Sequence, residues 1–172
     1  MPPMKRREFL FVPLVCAGGI AMADLLQVRS LDDSLRWLDR LEAAARVTAT
    51  GAWPMGAVLE HLAQSIEMSM DGFPQSKGVL FQSTAGSAAF AFFKWRGRMS
   101  HDLAEPIPGA PALGAGADWK PAALRLRQAI VRFNEYSGPL KRHFAYGALS
   151  KPEFALAHSL HIANHQDEIL VA

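Results

Sequence analysis

The chain has 172 residues, half of them apolar and one fifth charged, with a formal net charge of +2. That is enough chain and enough apolar surface for one domain with a real core, and it excludes a disordered chain. Lys5, Arg6 and Arg7 against Glu8 account for the whole net charge, so the remainder is balanced and carries no electrostatic footprint for nucleic acid.

The first 23 residues read as an export signal. Arg6-Arg7-Glu8-Phe9-Leu10 precedes an apolar run from Phe9 to Ile20, and Ala21-Met22-Ala23 offers a small-x-small cleavage site. The run is too short to span a bilayer as a helix. Paired arginines followed by x-Phe-Leu resemble a twin-arginine signal, the route for folded cargo. Leu14-Val15 ahead of Cys16 lack the small residue a lipoprotein signal needs. Cys16 is the only cysteine, so a mature chain of 24–172 has no disulfide and no cysteine ligand. The expected location is periplasmic or secreted.

Ser30 and Asp33 cap a first helix over 31–46, with Leu31, Leu35, Leu38, Leu41 and Ala45 at helical spacing. Residues 48–51 read as a short connection. Pro54 opens a second helix whose apolar face is Met55, Val58, Leu59, Leu62, Ile66 and Met70, and Asp71-Gly-Phe-Pro74 stops it. His61 lies beside that face. Residues 78–82 read as a short extended piece, and 84–95, small and aromatic, as a shorter helix. Residues 99–119 are too rich in Pro and Gly for regular structure, and serve as a lid, a pocket wall or a surface crossover. His101, in this loop, reads as a solvated side chain.

Pro121 starts the next helix, with Leu126, Ile130, Phe133 and Leu140 inward and Gly138-Pro139 as its end. Arg125, Arg127 and Arg132 read as a solvated face with too few nearby acids to pair them. His143–Gly147 is a turn, and Ser150-Lys-Pro-Glu153 spells a capping box for a last helix over 151–170. No run alternates long enough to predict a strand. The economical way to bury four one-sided helices is an all-α four-helix bundle with a long crossover.

The last helix carries the unusual pattern. Three of the six histidines, His158, His161 and His165, fall within eight residues. They lie within roughly 60° of one another on a helix. Phe154 and Ile169 continue their row, where a bundle would place Leu or Ile. His161 and His165, four residues apart, can hold one ion together. Glu does not follow the first histidine, so the zinc-protease motif is absent, as are Glu-x-x-His, Cys-x-x-Cys-His and Gly-x-Ser-x-Gly. A third ligand must come from elsewhere: His61 leads, with His158 and His143 in reserve. Three protein nitrogens leave a position open for water or substrate.

Trp53 followed by Val58-Leu-Glu-His61-Leu-Ala63, with His161-x-x-x-His165 on the final helix, resembles the DinB-like superfamily of metal-binding four-helix bundles. Asp71-Gly-Phe-Pro74, Pro108-Gly-Ala-Pro111 and His143-Phe-x-Tyr-Gly147 resemble one uncharacterised branch of it. The resemblance covers residues 30–170. It implies an up-down-down-up bundle holding one divalent ion, nickel or zinc, through His61, His161 and His165. Some relatives are thiol-dependent transferases or isomerases. Gln166-Asp-Glu168 departs from the expected continuation.

The resulting expectation is an exported metal-binding protein, acting as a metal-dependent transferase or hydrolase on a small molecule. His158, Asn164 and Glu168 are candidates to orient the ligands. The rival readings are a non-enzymatic metal- or ligand-binding protein, a bis-histidine haem bundle and a metal-free relative. Neither nucleic acid nor a membrane is an expected partner of the mature chain, and a homodimer is left open.

Overall fold

The computed structural model describes residues 27–114, 116 and 118–172. The signal read at 1–23 lies outside them. The described chain is mostly helical, with a single two-stranded sheet.

Helix α1 spans Leu31–Ala43, and Ser30 Oγ accepts its first hydrogen bond from the Asp33 N–H at 3.0 Å. It stops short of the expected end at Arg46 because Val47–Ala49 leaves as strand β1 and pairs antiparallel with β2, Ile169–Val171. The same pairing ends the last helix early. Each strand is three residues long, too short to show an alternation, and its partner is at the other end of the domain.

Helix α2, Met55–Asp71, is buried along nearly its whole length. The next piece corrects an expectation. Residues 78–82 are not extended: α3, Val79–Phe81, runs through a π-helical segment, Gln82–Gly86, into α4, Ser87–Arg96. The wider π turn brings Gly86 against the turn at 143–147, where a Cβ would stand 2.0 Å from the Ala145 carbonyl oxygen. Only glycine fits there. Helix α4 buries Phe90 and leaves Phe92 and Trp95 exposed.

Helix α5 is Lys120–Glu135, with Pro121 in its first turn, and α6 is Lys151–Gln166. The capping box at α6 forms as its sequence spells it, Glu153 Oε2 accepting from the Ser150 N–H at 3.0 Å. Leu140 lies beyond α5, partly buried rather than in its inward row. Helix α2 packs against α5 and α6, and α1 packs against the same two. Trp37, Leu38, Leu59, Leu62, Ile66, Leu126, Ile130, Phe133, Phe154 and Ile162 fill the space between them. Leu62→Ala opens a void next to His61, and urea titration is expected to show a loss of about 2–5 kcal/mol.

The arginines of α5 are paired after all. Arg125 forks onto Glu67 at 3.0 and 2.7 Å, Arg132 onto Asp71 at 2.6 and 2.6 Å, and Arg127 reaches Asp39 and Glu42. Their partners sit on α1 and α2, far from them in sequence and brought close only by helix packing. No helix among the described residues is long and apolar enough to cross a membrane.

Candidate metal centre

The packing of α2 on α6 brings His61 opposite His161 and His165. The nitrogens of these three that could act as ligands all lie within 4.8 Å of one another. His61 Nε2 and His161 Nε2 are 3.1 Å apart. The three ring centres are separated by 4.9, 5.2 and 5.0 Å.

Each ring on α6 is held by its other nitrogen. His161 Nδ1 is 3.3 Å from Ser65 Oγ, one turn along α2 from His61. His165 Nδ1 is 2.6 Å from Glu168 Oε1. With a proton on Nδ1 donated to that carboxylate, His165 presents a lone pair at Nε2. That atom is wholly buried and has no hydrogen-bond partner. His61 Nδ1 is also unpartnered, its ring lying edge-on to Trp53 at 5.0 Å. Trp53 further stacks parallel to His165 at 6.4 Å, walling the cluster on one side.

Burial keeps these imidazoles neutral. It pulls His61 down to about 4 and His165 to about 3, with the neighbouring histidines adding to the effect, and takes His161 well below its ordinary value for the same reasons. Neutral imidazole is the ligand form. Burial also pushes the Glu168 carboxyl up.

Glu168 was expected on the helix face. It instead belongs to the bend between α6 and β2, where its backbone carbonyl accepts from Thr50 N–H at 2.8 Å and Thr50 Oγ1 at 2.9 Å. The small sheet therefore positions the carboxylate that orients His165. Gly51 makes room for it: a Cβ there would fall 1.8 Å from Glu168 Oε2. No pattern in the sequence marks Gly51. Gly51→Ala and Glu168→Gln are both expected to weaken metal affinity about 10–100-fold while leaving the helical content intact, readable by competition with a chromophoric chelator.

The remaining histidines separate into three cases. His158 is buried between Phe133 and Phe154, and its Nε2 has no partner. Asn164 is buried with its amide nitrogen unpartnered. Neither is in the three-histidine cluster. His143 is spent on its own turn, its Nδ1 accepting from the Ala145 and Tyr146 N–H groups at 3.1 Å each. Burial takes His143 and His158 to about 3. His101 is the surprise. It is half-buried, not solvated, with its ring 5.0 Å from His161 and 5.6 Å from His165. A loop has no periodicity from which that approach could be read.

A cavity of about 240 Å³ opens against His61, His101 and His161. Met99 and Ile107 from the long loop, and Phe144 and Tyr146 from the 143–147 turn, form its sides. Of the alternatives for the long loop, its first part, residues 99–107, serves as pocket wall.

A family described as protein of unknown function (DUF1569) matches residues 21–171. The chain belongs to this family. No curated protein and no solved structure matches the chain. The DUF1569 match spans α2, the long loop and α6, and so takes in every residue of the cluster and of the cavity beside it.

Proposed function

We propose that this DUF1569 protein is a mononuclear metal protein of DinB-like build, with α1, α2, α5 and α6 as its four-helix bundle and His61, His161 and His165 as ligands. The observation that carries this reading is His165: one nitrogen is fixed by a carboxylate and the other is buried, bare and aimed among two more imidazoles. A bare buried nitrogen is costly unless something binds it. Two nitrogens on one tetrahedral ion at about 2.0–2.1 Å stand about 3.3 Å apart, close to the 3.1 Å between His61 and His161. That spacing leaves no room for a macrocycle between those rings, which argues against the haem rival.

The residues fit nickel or zinc, both borderline ions that imidazole suits. Bound there, a divalent ion supplies Lewis acidity, polarising an oxygen or sulfur or lowering the pKa of a water toward about 7. The chain's own part is to hold the rings, exclude bulk water and shape the cavity. Phe81, Met99, Ile107 and Phe144 favour a small, largely apolar molecule. Tyr146, pushed up to about 12 by burial, faces it as a neutral phenol. The reaction proposed is metal-dependent group transfer or hydrolysis. One observation favours a second reading, a non-enzymatic holder of metal or small ligand. Glu105, the carboxylate lining the cavity, is exposed to solvent and poorly placed as a base. The twin-arginine-type signal would export the domain folded and loaded.

Purification without a histidine tag, followed by elemental analysis, tests the reading. About one nickel or zinc per chain is expected, and less than about 0.2 after supplemented expression contradicts it. Turnover on thiol-transfer and ester panels that disappears with chelation selects the enzyme over the holder.

A further inference from the structure

We propose that His101 is a fourth imidazole ligand, carried on the long loop, which caps the ion and yields its position to a small molecule entering the cavity. This rests on the three-histidine reading and goes beyond it.

Imidazoles bound through one nitrogen each to a single tetrahedral ion place their ring centres about 5 Å apart. His101 comes close to that spacing, at 5.0 and 5.6 Å from His161 and His165 against 4.9–5.2 Å within the other three, and it stands outside the three-histidine cluster, so capping the ion draws the loop inward. Its Nδ1 is 2.8 Å from its neighbour Asp102's carbonyl oxygen, a contact that takes the ring proton and leaves Nε2 with the lone pair. This is the arrangement His165 shows with Glu168.

The loop is built to hold the ring there. Met99 and Ile107, each almost wholly buried, anchor it on both sides of His101. Asp102 closes the bend with its carboxylate accepting from the Ala104 N–H at 2.9 Å. Farther on, Glu60 and Gln64 of α2, flanking His61, grip the loop through the Gly114 N–H and the Pro111 carbonyl. The three inner ligands ride on packed helices, whereas His101 rides on a loop that also walls the cavity. Displacement of a ligand is therefore easiest at His101, on the side where a small molecule arrives.

Cobalt(II) titration of the metal-free full chain tests the inference, with His101→Ala and the bulkier His101→Gln beside wild type. Wild type is expected to bind one cobalt with the intense visible bands of four-coordination. Both variants are expected to bind one cobalt about 10-fold or more weakly, with paler bands of higher coordination. Millimolar free imidazole should restore the wild-type spectrum to His101→Ala alone. Variants with wild-type affinity and spectrum, while wild type binds cobalt, would overturn the role of His101 and leave the three-histidine centre standing. A wild-type chain that binds no cobalt would overturn both.

Discussion

His161→Ala is expected to empty the metal centre, taking bound metal from about one per chain to below about 0.1 under the same loading. His161 touches each of the other three histidines of the cluster and its loop: Nε2 meets His61, Nδ1 meets Ser65, and its ring lies 5.0 Å from both His165 and His101. Removing it deletes a ligand and the hydrogen bond that steers it. The fold should survive, because the site is on the cavity side of α6 while Phe154 and Ile162 of the same helix remain in the core. Circular dichroism of the variant should match that of metal-free wild type. His158→Ala is the contrast. It should keep its metal and lose stability instead, since that ring is packed between Phe133 and Phe154.

The second large effect is the response of the metal-free protein to acid. Four buried histidines, His61, His143, His158 and His165, and the half-buried His161 are all held below the ordinary value near 6.5 by desolvation. Above pH 6.5 both folded and unfolded chains leave them neutral, and stability is complete. Below it the unfolded chain takes up protons that the folded chain refuses, so unfolding is favoured as the pH falls toward 4 and then 3. The slope approaches about 1.4 kcal/mol per pH unit for each histidine titrating only in the unfolded state. Urea midpoints at pH 7, 6 and 5 are expected to fall in that order. Metal opposes the trend, adding about 4 kcal/mol when free metal is 1,000-fold above its dissociation constant. A midpoint that rises on acidification would show that these rings are not buried neutral.

The sequence made the three-histidine cluster visible because helical spacing is a geometric constraint. Residues four apart on α6 must share a face, and a histidine at the edge of α2's apolar stripe must turn toward the core. Their meeting required only that α2 and α6 pack together. What escaped has the opposite character. His101, Gly51 and the 47–49 with 169–171 pairing all depend on where irregular or very short segments come to rest, which no local pattern encodes. Glu168 was singled out for its nearness to His165, yet it acts from a bend that the sheet holds, not from the helix face. The ion pairs of Arg125, Arg127 and Arg132 are a tertiary product of the same kind.

Anomalous diffraction from crystals of the untagged, metal-supplemented protein, recorded above the absorption edge of the metal found, tests the central claim most directly. The account predicts one strong peak per chain, bonded to Nε2 of His61, His161 and His165 at about 2.0–2.1 Å. No peak there, or a peak bonded to other residues, would contradict it.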